Sequence, residues 1–286
     1  MKVFDCFTFH NEFDILELRL AELWDTVDYF VIAEANITHQ NKPKDFYLKN
    51  NWERFSRYHN KIRLISIEDM PNSPDSWVNE RFQRRQLSRG LYDLAADDIV
   101  IVSDCDEVPR AEAIRAVKED SNQNNYDRYV LCVPLFYFRL NYLMISPHTK
   151  QNNIAVARGR IFTDPQKERE LTFYTDSYPP HFSDDSRCFI EHGGWHFTYF
   201  GQRDFAKTKL QSFAHAESNI PKYTENIDID FMIENKVGFS KFDSNERFEY
   251  VAVDDYFPDT VLNNLEKYQP MIVDNAVKSV YDFYPE

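Results

Sequence analysis

Asp98-Ile99-Val100-Ile101-Val102-Ser103-Asp104-Cys105-Asp106-Glu107-Val108-Pro109 is the stretch on which the fold turns. An apolar, β-branched run reads as a buried strand, and it ends in a cluster of acids. Alternate residues of an extended turn point the same way, so Asp104 and Asp106 can converge on one cation. Hard carboxylate oxygens suit Mg²⁺ or Mn²⁺. An Asp-x-Asp pair alone is a weak signal, and a capping turn before a helix near 111–118 accounts for it without chemistry. Its place directly behind a buried strand, with Glu107 and Pro109 following, is more specific.

Working towards the N-terminus, residues 3–9 read as a first strand. Phe13, Leu16, Leu20, Leu23 and Trp24 recur at helical spacing over 12–24. Tyr29–Ala33 is a short apolar strand ending in Glu34, and Lys61–Ile67 repeats that form and ends in Glu68-Asp69. A helix over about 78–95 carries Leu87, Leu91 and Leu94 on one face, with Arg81, Gln83, Arg84, Arg85 and Arg89 on the other. Strands alternating with helices predict an α/β fold: an open, mixed, largely parallel sheet flanked by helices. Ligands of such sheets bind beyond the carboxyl ends of the strands, where Glu34, Asp69 and Asp104–Glu107 would line up.

Towards the C-terminus the pattern changes. Tyr129 to Leu140 reads as a long aromatic strand, and Cys188 to Tyr199 as another, interrupted by Gly193-Gly194. A helix is expected from about Asp204 to Glu217, and further helices near 228–236 and 259–267. Without a convincing linker, residues 1–224 are expected to form one domain in two halves, 1–110 with the acidic strand ends and 111–224. Residues 225–286 follow as a largely helical extension packed on it.

Composition sets limits. A net charge of −14 argues against a nucleic-acid backbone as partner, though a nucleotide bound through a divalent cation stays open. The four cysteines form no CxxC pair, so neither a zinc cluster nor a disulfide framework is expected. No apolar run approaches the roughly 20 residues of a membrane span. With Asp5 and Glu12 so early, no signal peptide is read either, and a soluble, cytoplasmic protein is expected.

Several segments together resemble glycosyltransferase family 17. They are Asp5-Cys6-Phe7-Thr8-Phe9-His10-Asn11-Glu12-Phe13-Asp14, Leu16-Glu17-Leu18-Arg19-Leu20 and Val27–Glu34. Further along come Glu80-Arg81-Phe82-Gln83-Arg84, Ser103–Pro109, Gly194-Trp195-His196-Phe197, and Lys209 through Ser212-Phe213-Ala214-His215. Weaker similarity runs to about Tyr268. The resemblance implies a GT-A-type, Rossmann-like fold and a UDP-sugar donor, with N-acetylglucosamine as the sugar. It also implies a carbohydrate acceptor and a metal site on Asp104 and Asp106. Animal members carry an N-terminal Golgi membrane anchor that is not read here, so their N-glycan acceptor is not carried over.

Position suggests the remaining roles. His196 is a third metal ligand or a diphosphate contact, with His215 as second choice, and a satisfied buried histidine is the plain alternative. Arg81 and Arg84 could reach the diphosphate. Glu34 and Asp69 are placed for the ribose or base, and His10 to pack on the base. An inverting transferase needs a carboxylate base, for which Glu217, Glu191 and Glu107 are candidates. Two rivals stand. A haloacid-dehalogenase-type phosphatase would use Asp104 as nucleophile and Asp106 as acid. A non-catalytic carbohydrate-binding protein would use Trp195 and Tyr199 and have no need of Asp104.

Overall fold

A computed structural model describes residues 1–123, 125–145, 151–172, 187–200, 203–214, 228–238 and 246–285. The first strands and helices follow the apolar patterning: β1 (Val3–Phe9), α1 (Phe13–Glu22), β2 (Tyr29–Ala35), a short α2 (Tyr47–Asn50), β3 (Ile62–Ile67), α3 (Ser76–Arg85) and β4 (Ile99–Asp104). After the Asp-x-Asp turn come β5 (Glu107–Pro109), α4 (Ala111–Asn122), β6 (Arg128–Val133), β7 (Leu135–Tyr137), β8 (Tyr142–Met144), β9 (Gln151–Arg158) and α5 (Pro165–Glu170). The remainder is β10 (Arg187–Ile190), β11 (Gly194–Thr198), α6 (Arg203–Leu210), α7 (Ile229–Glu234), β12 (Phe248–Tyr250), α8 (Asp259–Leu262) and α9 (Leu265–Tyr268).

Among the described residues, seven strands form the main sheet in the order β10-β6-β9-β4-β1-β2-β3. All run parallel except β9, which is antiparallel to both β4 and β6. The expected open, largely parallel sheet flanked by helices is therefore what the chain forms. Register sets Phe9 beside Glu34, Glu34 beside Ser66, and Thr8 beside Asp104, so the carboxyl ends of β1 to β4 share one edge.

Period-2 alternation divides the core. Val3, Phe7 and Phe9 of β1 and Ile99 and Ile101 of β4 face α1 and its Leu16 and Leu20. Phe4, Cys6, Val31, Ala33, Val100 and Val102 face the other way, onto Leu87 and Leu91 beyond α3. Asp104, two residues after Val102, is thereby aimed at α3, and Ser103 at α1. The helix expected over 78–95 is shorter and becomes 3₁₀ over Gln86–Gly90. Its arginines also divide: Gln83 and Arg84 turn inward, whereas Arg81, Arg85 and Arg89 are exposed.

A second sheet has the order β12-β8-β7-β11-β5. The long strand expected over 129–140 breaks at Pro134, which has no N–H for a ladder, and the chain passes from the main sheet (β6) to the second (β7). The Gly193-Gly194 pair makes a second crossing from the main sheet to the second, between β10 and β11. Residues 246–285 do not stand apart, because β12 pairs with β8, and Tyr256, Val261, Tyr268 and Val280 join the core that holds β1 and α1. Among the described residues no helix is long and apolar enough to cross a membrane.

Both glycines answer to close approach. A Cβ on Gly194 would lie 2.2 Å from the Val108 carbonyl oxygen, and one on Gly193 2.5 Å from Leu131 Cβ. Backbone cannot yield as a flexible side-chain tip can, so Gly194→Ala is expected to cost about 2 kcal/mol or more in urea unfolding. A loss below about 0.5 kcal/mol, the range of neutral surface changes, would contradict this contact.

Candidate functional site

The site is assembled by an arginine from α1. Arg19 and Asp5 are fully buried and pair bidentately, with Nε donating to Oδ2 at 2.8 Å and Nη2 to Oδ1 at 2.6 Å. Nη2 also donates to Ser103 Oγ at 2.7 Å. Nη1 donates to the carbonyl oxygens of Asp104 (2.7 Å), Cys105 (3.2 Å) and Glu107 (2.9 Å). Three turn carbonyls thus converge on one nitrogen, and the Glu107 oxygen also accepts from Ser103 Oγ at 3.2 Å. The Phe7 ring lies 4.1 Å from the guanidinium carbon, and the buried Cys105 side chain anchors the turn from within the core.

The two aspartates leave this turn in different company. Arg84 Nη2 donates to Asp104 Oδ1 at 2.9 Å, and Arg169 of α5 approaches Oδ2 at 3.3 Å. Arg84 is itself held by Gln166 and Glu80. Glu107 closes the turn, accepting the Asp104 N–H at 2.8 Å through Oε2 and Arg169 at 2.7 Å through Oε1. Asp106 Oδ2 receives the Lys209 ammonium of α6 and lies 3.6 Å from His196 Nε2. Asn153 Nδ2, 3.2 Å from His196 Nδ1, helps orient that ring.

Electrostatics follow from this geometry. Burial alone would raise both aspartates, but Arg84 and Arg169 hold Asp104 well below the usual carboxylate range, and Lys209 and His196 do so for Asp106. Burial prevails at Glu107 and pushes it up despite Arg169. Lys209 is raised because Asp106 outweighs its burial.

Beside this cluster, at the carboxyl ends of β1 and β2, three buried polar atoms have no hydrogen-bond partner among the described residues: His10 Nε2, Asn11 Oδ1 and His39 Nδ1. The Tyr47 ring meets His10 edge-on at 5.9 Å, and His39 Nε2 lies 2.6 Å from Gln83 Oε1. Burial, with the positive fields of Lys44, His39 and Lys209, lowers His10 to about 3.

Of the residues singled out by sequence, the fold brings together Asp104, Asp106, Glu107, Arg84 and His196, with His10 close by. Others fall elsewhere. Glu34 is buried, and its oxygens accept the N–H groups of Leu48 (2.9 Å) and Lys49 (3.2 Å), so it serves α2 rather than facing a ligand. Asp69 is exposed and pairs with Arg89 at 2.8 Å. Arg81 and Glu191 are exposed. Both oxygens of Glu107 are committed to the turn, which leaves it ill suited to act as a base. Glu217 and His215 lie outside the described residues. Sequence reasoning gave no role to Arg19, Arg169, Lys209, Asn11 or His39. Arg19, Asn11 and Lys209 lie in the family-like segments, but nothing in the local sequence marks Arg169 or His39.

Among the described residues, no three His, Cys, Asp or Glu side chains form a cation cage. Asp106 Oδ2 and His196 Nε2, 3.6 Å apart, still suit two ligands of one hard ion. Mg²⁺-type ions are commonly held by one or two carboxylates together with substrate phosphates and water, so this half-set fits an ion that arrives with a diphosphate.

The lowered His10 has a consequence for pH. Below an unfolded-state value of about 6.5 the unfolded chain takes up a proton that the fold refuses, so stability falls as pH drops from there towards 3. His39, lowered by burial, acts in the same direction, whereas Asp104 and Asp106 lose their contribution only below about 3.9. Urea midpoints are expected to fall between pH 7.5 and pH 5, and to fall less in His10→Gln. An equal fall in that variant would contradict a buried neutral His10.

Residues 1–138 match the model of glycosyltransferase family 17. The β-1,4-mannosyl-glycoprotein 4-β-N-acetylglucosaminyltransferases of Rattus norvegicus and Homo sapiens are each 27% identical to this chain over 125 residues. The aligned part is 41% of this chain and 23% and 24% of those proteins, so the chain spans about a quarter of their length. Among solved structures, 4-diphosphocytidyl-2C-methyl-D-erythritol synthase is similar, with a TM-score of 0.38 and 14% identity over 66% of this chain and 88% of that one. The 2-C-methyl-D-erythritol 4-phosphate cytidylyltransferase of Francisella tularensis gives 0.37 and 12% over 67% and 90%. Likeness that slight does not bear on function. The family-like segments at 194–197 and 209–215 lie beyond the matched region. Arg19, Arg84 and the whole Asp-x-Asp turn lie within the matched residues 1–138, which are just under half of the chain.

Proposed function

We propose that the protein transfers a sugar, N-acetylglucosamine in the first instance, from a UDP-sugar to a carbohydrate acceptor with inversion at the anomeric carbon. The observation that carries this reading is the juxtaposition at one sheet edge of two unlike halves. One half holds Asp104 and Asp106 in a preorganised turn lined by Arg84, Arg169 and Lys209. The other presents the unpartnered His10 Nε2, Asn11 Oδ1 and His39 Nδ1. Unmatched buried polar atoms call for a ligand with its own donors and acceptors, as a nucleoside has, and the charged half suits its diphosphate.

Within this reading Asp106 and His196 hold a divalent cation, Mn²⁺ or Mg²⁺. When bound, it offsets the negative charge that builds on the departing UDP. Arg84 and Arg169 fix Asp104, and Arg19 fixes the turn, so little reorganisation is needed as charge develops. The acceptor hydroxyl gives its proton to a carboxylate base, drawn from Glu217 and Glu191. A phosphatase would need Asp104 as a free nucleophile, whereas here both of its oxygens face guanidinium groups.

Calorimetric titration with UDP, UDP-N-acetylglucosamine and UDP-glucose, with and without Mn²⁺, tests the donor assignment. Metal-dependent binding is expected in the wild type, with UDP-N-acetylglucosamine preferred over UDP-glucose, and at least a hundredfold loss is expected in Asp106→Ala. Failure of the folded wild type to bind any of these nucleotides with Mn²⁺ present would sink the donor reading. Sugar binding that ignores both metal and Asp106 would favour a carbohydrate-binding protein instead.

A further inference from the structure

Lys209 makes a contact that bears on the cation as well as on the diphosphate. Its ammonium rests on Asp106 Oδ2, the same oxygen that faces His196 Nε2 at 3.6 Å. The side chains are 16% and 6% exposed, so this pair is inside the protein. Two cations cannot share one carboxylate oxygen at contact distance without strong repulsion. A divalent ion on Asp106 and His196 must therefore move Lys209 aside.

Where the ammonium can go is restricted. The backbone of α6 is anchored, because Ala206 and Leu210 pack against Leu135, Phe138 and Phe248. The Gln40 side-chain amide also reaches past its end, with Nε2 donating to the Leu210 and Phe213 carbonyls. Only the flexible side chain can move, and leaving it buried without an anion is costly. The other acids whose fields reach it already serve other groups, Glu12 through one of its two oxygens. Glu12 Oε2 accepts the N–H groups of His10 and Asn11, and Asp104 faces Arg84 and Arg169. Arg84, held by Glu80, Gln166 and Asp104, has no comparable freedom.

We propose that Lys209 couples cation binding to donor binding: it occupies Asp106 until a nucleoside diphosphate supplies a phosphate oxygen for its ammonium, and Asp106 is then free for the divalent cation. This rests on the donor reading above and adds an order of events to it. The cation alone meets a carboxylate already paired with an ammonium. The cation with its diphosphate meets one whose competitor has a new partner. Lys209 is in this sense a positioning residue that also touches the leaving group.

The test is Mn²⁺ binding, followed by the electron paramagnetic resonance of the free ion, in the wild type, Lys209→Met and Lys209→Arg without nucleotide and again with UDP. Without nucleotide, Lys209→Met is expected to bind Mn²⁺ at least tenfold more tightly than the wild type, while the charge-conserving Lys209→Arg stays weak. With UDP present the advantage of Lys209→Met should shrink below threefold. Lys209→Gln, which keeps a polar group against Asp106, replaces the methionine variant if that protein does not fold. Mn²⁺ binding in Lys209→Met or Lys209→Gln no tighter than in the wild type would overturn the coupling and leave Lys209 a structural partner of Asp106. Failure of the wild type to bind UDP with Mn²⁺ would instead overturn the donor reading, a different result from the nucleotide-free comparison.

Discussion

Everything at the site depends on one buried ion pair. Arg19 and Asp5 sit where two strands and a helix meet, and a lone charge there would be prohibitively costly. Paired, the guanidinium still has donors to spare, and it spends them on Ser103 Oγ and on the carbonyls of Asp104, Cys105 and Glu107. A buried salt bridge is weak evidence for stability, since a well-packed apolar pair often does as well. Its use here is geometric. The planar fork ties the end of β4 to β1 and α1 and gives the Asp-x-Asp turn a single shape.

From that shape the charge pattern follows. The chain carries a net charge of −14, yet around the turn acids and bases are matched. Asp104 and Glu107 share Arg169, Asp104 also takes Arg84, and Asp106 takes Lys209. The three basic groups come from α3, α5 and α6, elements far apart in sequence that converge on one edge of the sheet. The net charge therefore says little about the site, where each acid is matched by a base brought from a distant element.

The sheet was legible because its strands are apolar runs in strand-helix alternation, and parallel register then put their carboxyl ends level. The Asp-x-Asp turn was legible for the same reason, as acids at the end of the most apolar run. Glu34 was misplaced because a buried carboxylate at a strand end can also find the N–H groups of a neighbouring helix, here those of Leu48 and Lys49. The stripe of Asn79, Gln83 and Arg84 on α3 is polar yet buried, so hydrophobic periodicity put all the arginines of that helix on one face and missed the inward turn of Arg84. Arg169 and His39 take their places through tertiary contacts that leave no local pattern. The glycine pair looked like a close approach or a bulge, and the approach is to Val108 and Leu131 at a crossing between two sheets.

In the proposed function, the turn clamped by Arg19 is the seat of donor binding. Arg19→Lys tests it most directly, because a lysine ammonium can keep the charge pair with Asp5 but cannot reach three carbonyls and a hydroxyl in one plane. With folding verified by circular dichroism, the affinity for UDP in the presence of Mn²⁺ should drop at least tenfold relative to the wild type. A folded Arg19→Lys protein that binds UDP and Mn²⁺ as tightly as the wild type would contradict the account.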